Sequence, residues 1–207
     1  SSAYLNPAVL ADVKTIEFTS ATRQNMAWDR NHNALALGFV LPMGYIAASW
    51  QNATVSDIPG YDVNGNPTGE FSNSDNTLAL SYAAKIGKVN FGVTPKFYLS
   101  NQDNESETGY GVDLGVLYHI NRYFNAGMVV RDLVAKYPGE EDNIPIEFIP
   151  GIAAYPIPGL IIAADLSGRD NFEDSKLRLG VEYWLGVRDD AEIGSSLSGI
   201  RIRESAT

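Results

Sequence analysis

Residues 88–100, KVNFGVTPKFYLS, alternate without a slip between two lists: Val89, Phe91, Val93, Pro95, Phe97 and Leu99 against Asn90, Gly92, Thr94, Lys96, Tyr98 and Ser100. Successive side chains leave opposite faces of a pleated strand, so this period of two predicts a β-strand with one oily face. The same pattern, punctuated by Gly, Pro, Asn and Asp, predicts strands near 13–21, 34–42, 44–52, 77–86, 88–100, 109–118, 123–133, 145–155, 159–167, 176–185 and 191–202, the last the weakest. No segment carries the 3.6-residue period of an amphipathic helix. The fold class expected is therefore all-β.

What the oily face touches is the next question. The apolar list includes Leu35, Leu37, Phe39 and Leu41; Leu78, Leu80, Tyr82 and Ile86; Val112, Leu114, Val116 and Tyr118; Phe124, Met128 and Val130; Leu160 and Ile162; and Leu177, Leu179, Val181 and Tyr183. None carries a charge, as a lipid-facing surface demands. The opposite list holds Glu17, Lys85, Lys96, Asp113, Arg131, Glu147, Asp165, Lys176, Arg178 and Glu182, balanced in sign, among small residues such as Gly92, Gly111, Gly115, Gly127 and Gly151. Small residues suit the crowded concave side of a barrel.

The connections fall into two alternating sets. Short ones are Pro42-Met43-Gly44, Gly87-Lys88, His119 to Arg122, Pro156-Ile157-Pro158 and Gly186 to Asp190; long polar ones are 22–33, 53–76, 101–108, 134–144 and 168–175. Short turns at one end and long acidic loops at the other predict an antiparallel up-and-down transmembrane β-barrel with periplasmic turns and extracellular loops. Tyr45, Trp50, Tyr82, Tyr118, Tyr155 and Trp184 near strand ends suit interfacial girdles. A soluble lipocalin-like binder would carry the same alternation with its apolar list turned inward, and the charge-free apolar face disfavours it.

Composition narrows the classes further. The 207 residues fit one domain with no linker, and charged residues are 19%, below the soluble average of roughly 25%. A net charge of −10, with no cluster of Lys and Arg, sets nucleic acid aside. The absence of cysteine removes thiol chemistry and disulfides. No run of about 18 apolar residues occurs, so no transmembrane helix is expected. No catalytic residues or cofactor are expected: His32, in the predicted first loop, and His119, in a turn at the other end, cannot meet.

On the polar face Lys85, Lys96, Arg131 and Arg178 are expected to pair with Asp113, Glu147, Asp165 and Glu182 across neighbouring strands, because an unpaired buried charge is costly. Pro95 and Pro150 each delete a ladder donor and mark candidate strand kinks. Asp62, Asn64 and Asn66 in DVNGNPTGE have the alternate spacing of a calcium loop, but Asn73 fills the twelfth position where an acid is needed, so a plain turn is the favoured reading and no metal is assigned.

The opening SSAYLNPAVLADVKTIEFT resembles the start of the FadL/PorV-like outer-membrane superfamily, and GYGVDLGVLYHI, NAGMVVRDL, PGLIIAADLSG and LRLGVEYWLG resemble its later strands in order. Val9 departs from the usual glycine. The resemblance implies a complete barrel of about 14 strands, residues 1–12 as a hatch-side segment and 13–207 as the barrel. It puts Asn6, Pro7 and Ala8 at the periplasmic end of the lumen near the first strand. The odd strand count and the start at Ser1 suggest trimming at both ends, with at least one strand beyond Thr207. The PorV-like branch implies a structural or adaptor component of an envelope or secretion assembly in a bacterial outer membrane, touching the bilayer and, through its long loops, other envelope proteins. The FadL-like alternative is a channel for hydrophobic small molecules.

Overall fold

A computed structural model describes residues 6–26, 30–102, 105–136, 145–169, 175–184 and 201–206. The chain is all-β: among the described residues eleven strands form one antiparallel sheet in sequence order, each paired with the next. They are β1 Glu17–Met26, β2 Arg30–Leu41, β3 Gly44–Tyr61, β4 Pro67–Ile86, β5 Val89–Gln102, β6 Glu105–Asn121, β7 Phe124–Lys136, β8 Glu147–Ala154, β9 Leu160–Arg169, β10 Lys176–Trp184 and β11 Arg201–Ala206. Before them lies a short 3-10 helix, Pro7–Asp12. Among the described residues β1 and β11 are the edges of the sheet.

Strand neighbours in sequence are neighbours in space, so the connections alternate between the two ends. At one end β2–β3, β4–β5 and β6–β7 are joined by two-residue turns. In the Gly87-Lys88 turn Gly87 takes φ 61°, the left-handed conformation a tight hairpin needs and glycine reaches without strain.

At the other end the sheet is longer than the alternation suggests. The stretches 22–33, 53–76 and 101–108, expected as long loops, are largely strand. In place of the 53–76 loop, β3 and β4 run on to a turn at 62–66, pairing Val55 with Asn73, Ile58 with Phe71 and Gly60 with Gly69. The reason is backbone pairing: Asn, Ser and Thr there hydrogen-bond across the ladder as readily as they solvate a loop. His32 accordingly sits on β2, opposite Arg23 and Ala53, rather than in a loop. Of the expected loops 134–144 and 168–175, the parts 137–144 and 170–174 lie outside the described residues, as do the turn at 186–190 and most of the expected strand 191–202, where β11 begins only at Arg201.

The two faces differ in what covers them. One carries the 3-10 helix, and its small core is Leu10 with Tyr45, Ala47 and Ala83, packed by Ala11 and Val13. Tyr45, expected in a girdle, instead points to this face and is 1% exposed, its ring lying over Gly38 where any Cβ would collide with it. The other face is bare among the described residues. Leu35, Leu37, Phe39, Leu78, Leu80, Phe91, Phe97, Leu114, Val116, Met128, Ile152, Ile162, Leu177, Leu179 and Val181 all stand exposed on it.

Candidate functional site

Asn6, Pro7 and Ala8 begin the 3-10 helix. Asn6 caps it, its Oδ1 accepting from the Ala8 amide at 2.9 Å, and Pro7 fits the first turn because its missing N–H would have no partner there. The helix lies on β3, β4, β5 and β6. The expected position beside the first strand is thus corrected: a bed for the helix exists only where glycines line up across strands. Gly92 and Gly115 face each other in register, and Gly115 lies beside Gly127. A Cβ on Gly92 would overlap the Pro7 and Ala8 backbone; one on Gly115 would overlap Asn6. Asn6 Nδ2 also donates to the Val116 carbonyl at 3.3 Å. Ala8 is fully buried.

The far end of the helix is held by charge. Asp12 accepts from Lys85 Nζ at 2.7 Å and from Asn90 Nδ2 at 2.8 Å. His119 Nε2 comes within 3.1 Å of Asp12 Oδ2, at ion-pair distance but off the hydrogen-bond direction, while its Nδ1 meets Asn125 Oδ1 at 3.1 Å. Lys85, expected to pair with a strand carboxylate, therefore pairs with the helix. Nothing in the local pattern around Asp12 marks it; only the docking of the helix delivers it to β4 and β6.

A second cluster sits higher on the same face. Lys96 Nζ lies 2.6 Å from Asp113 and 2.7 Å from Asp132, and Tyr98 donates to Asp132 Oδ1 at 2.7 Å. The ammonium is also 5.5 Å from the Tyr98 ring centre. Asp132 was missed by alternation, since Arg131 beside it already faces this way. Between Val112↔Val134 and Leu114↔Val130 strand β7 carries two extra residues, and Asp132 there takes φ 53°. That bulge turns Asp132 to the face of its neighbour, and its amide donates to Asp113 Oδ1 at 3.0 Å. Gly111 leaves the room: a Cβ there would press on Asp132 and Tyr98.

Two further pairs are simple cross-strand neighbours. Arg131 is in register with Glu147, 3.2 Å apart, and Arg178 with Asp165, 2.6 Å apart. Glu182 shares the face of β10 and lies opposite Ile161. These groups are partly exposed, so each pair contributes modestly.

Both prolines lie inside strands without changing register. The β4–β5 ladder passes from Ala79↔Lys96 to Tyr82↔Val93, skipping Pro95 and Thr94, while β5–β6 stays paired through Pro95↔Val112. Ser81 and Thr94 hydroxyls, 2.8 Å apart and buried, bridge the skipped stretch. Pro150 behaves alike: paired with Met128 on β7, it interrupts the ladder with β9 between Phe148↔Gly168 and Gly151↔Asp165. Each proline removes one donor, and one ladder yields locally.

At the β3–β4 tip the Asp62 carboxylate is occupied by its own turn. Oδ1 accepts from the Asn64 and Asn66 amides, both at 2.8 Å, and Oδ2 from Asn66 Nδ2 at 2.9 Å. The Asn66 side-chain and backbone donors hold its pKa below the usual aspartate range, with the Asn64 and Gly65 amides adding to them. The calcium-like spacing is that of an Asx turn, and among the described residues no cluster of three or more His, Cys, Asp or Glu could hold a metal ion.

On the bare face, above the apolar rows, an amide ladder crosses four strands. Thr22 bonds Asn33, Asn33 Nδ2 approaches Asn52 Oδ1 at 3.5 Å, and Asn52 Nδ2 donates to Asn76 Oδ1 and Ser74 Oγ at 3.1 Å. Trp50 Nε1 donates to Asn76 Oδ1 at 3.1 Å from just below.

Comparison with protein-family models, with curated proteins and with solved structures gives no significant match.

Proposed function

We propose that the chain is an outer-membrane β-barrel acting as a structural or adaptor component of a bacterial envelope or secretion assembly. The observation that carries this reading is the bare face. Leu78, Leu80 and Phe97 are 44%, 51% and 61% exposed, in a charge-free belt spread over neighbouring strands, while ion pairs and the helix occupy the other face. A soluble monomer rarely exposes a contiguous apolar patch beyond a few hundred Å². Lipid removes that cost, and closing β1 toward β11, directly or through further strands, would remove the open edges that lipid forbids.

The belt fits a bilayer in its details. It ends upward at Trp50, whose ring stays with the leucines while its N–H reaches the amide ladder, the posture of an interfacial tryptophan. Downward it runs to Ile86 at the short turn, and on the way Tyr82 donates its hydroxyl to the Met43 carbonyl at 2.9 Å. The strand run from Leu78 to Ile86 is about 26 Å at 3.3 Å per residue, close to the apolar height of such barrels before tilt. The ion-paired polar face favours a filled rigid barrel over an open pore.

The test is insertion. Refolding into phospholipid vesicles should give a folded form that resists SDS unfolding and migrates differently unheated and boiled. Leu80→Arg should weaken that form by about 2–4 kcal/mol. A protein that is folded and monomeric in plain buffer, and indifferent to Leu80→Arg, would sink the reading.

The second reading is a channel for hydrophobic small molecules, supported by the interrupted β4–β5 ladder beside Pro95. The Ser81–Thr94 bridge across that interruption weighs against an opening there.

A further inference from the structure

The long β3–β4 hairpin outruns both of its neighbours. Strand β2 pairs with β3 only as far as Arg30↔Val55, and β5 pairs with β4 only as far as Asn73↔Gln102. Beyond those points, 56–61 and 67–72 pair with each other alone among the described residues. Six residues at about 3.3 Å each make a two-stranded ribbon about 20 Å long. A free ribbon of that kind is marginal in water, and its outer backbone groups are open to another strand.

The two edges are not alike. On β3 the edge is blunted by a bulge at Asp57, φ 57°, and by Pro59, which has no N–H to offer. On β4 the register slips at Thr68 and Gly69, where Gly69 takes φ 120°, but Glu70 to Ser72 carry neither proline nor bulge and continue the line that β5 leaves at Gln102.

Charge sets what could lie there. Asp57, Asp62 and Glu70 are on the ribbon, Asp75 just below it and Glu107 near the β5–β6 tip. No Lys or Arg occurs in residues 31–84 or 97–121, and the cations that β4 and β5 carry, Lys85 and Lys96, lie farther down the strands and are paired with Asp12 and with Asp113 and Asp132. At the tip Tyr61 and Val63 are bare, 64% and 102% exposed.

We propose that this ribbon is the docking edge for an extended, Lys- or Arg-bearing segment of a partner protein, added to β4 as a further strand. Main-chain bonds to Glu70–Ser72 supply the hold, the acidic rim the choice of a basic partner, and Tyr61 and Val63 an apolar contact. This rests on the adaptor reading and gives that adaptor's partner its chemistry.

The probe is a labelled decapeptide alternating Val and Lys, titrated against the full chain folded in detergent micelles, with amide hydrogen exchange read in parallel. Binding should weaken at least tenfold in the paired variant Asp57→Asn, Glu70→Gln and with rising salt, and bound peptide should slow exchange at 70–72. A peptide methylated on alternate backbone nitrogens should lose binding. Equal binding of the methylated peptide would reduce the site to bulk charge, and absent protection at 70–72 in folded protein would overturn it. Vesicle insertion is scored separately, so protein that inserts but ignores the peptide rejects the docking edge alone, and protein that does not insert rejects the membrane reading.

Discussion

Asp132 reaches Lys96, 2.7 Å away, only because a bulge at φ 53° turns it to the face that Arg131 already occupies. Lys96 thereby holds two carboxylates, Asp113 and Asp132, which share their oxygens with a backbone amide and the Tyr98 hydroxyl. Without the ammonium these carboxylates would face each other on a largely covered wall, with side chains 13% and 20% exposed.

Removing that cation should therefore cost more than removing one anion. Lys96→Met is expected to destabilise by about 2–4 kcal/mol, and Asp132→Asn by about half of that, because Asp113 remains. Urea unfolding of the folded, detergent-bound protein checks the order. Equal small effects would mean that the cluster is screened by water.

The helix bed predicts a sharp contrast between glycines. Gly92→Val puts atoms where Pro7 and Ala8 lie, whereas Gly180 has nothing within 4 Å of an added Cβ. Limited proteolysis should cut residues 7–16 rapidly in Gly92→Val and leave Gly180→Val as resistant as the parent. Losing the helix should leave the sheet formed, since its ladders do not depend on it.

For Asp62 the sign of the pH effect follows from its lowered pKa, with Asn66 donors the leading cause. A carboxylate whose folded pKa is depressed stabilises above its unfolded value, near 3.9, and that contribution is lost as pH falls through the folded one. The Asn64 and Asn66 amides should keep full exchange protection at neutral pH and lose it only in acid. Asp62→Ala should abolish that protection at every pH, while the paired rows at Ala48↔Leu80 should not respond.

Trp50 gives an optical readout of depth. In a variant with Trp28 and Trp184 replaced by Phe, its emission in vesicles should be blue-shifted and quenched most by a spin label placed near the headgroups. Asn76→Ala removes the acceptor of its N–H and should shift that emission further, without loss of folding. Emission identical to that of free tryptophan in water would place the ring outside the bilayer.

Much of this architecture is legible in the sequence because a strand writes its two faces directly into alternate residues. KVNFGVTPKFYLS places Phe91 and Phe97 on the bare face and Gly92 and Lys96 on the covered one, and the register agrees. Cross-strand pairs whose members keep to the alternation, Arg131 with Glu147 and Arg178 with Asp165, were legible for the same reason. The length of β3 and β4 was not, since Asn, Ser and Thr read equally as loop and as paired strand until a partner strand is known.

What the sequence determined alone, then, was the strands and the sorting of oil from charge, which follow from a local period of two, and the up-and-down order, which follows from the short connections. Tertiary structure decided what joins distant points on the polar face: Asp12 with Lys85, Asn6 with the glycines of β5 and β6, and Asp132 with Lys96. The first two depend on where a short helix settles and the third on a bulge that breaks the period. Neither leaves a repeat in the chain, because each is fixed by backbone geometry and room rather than by neighbouring residues.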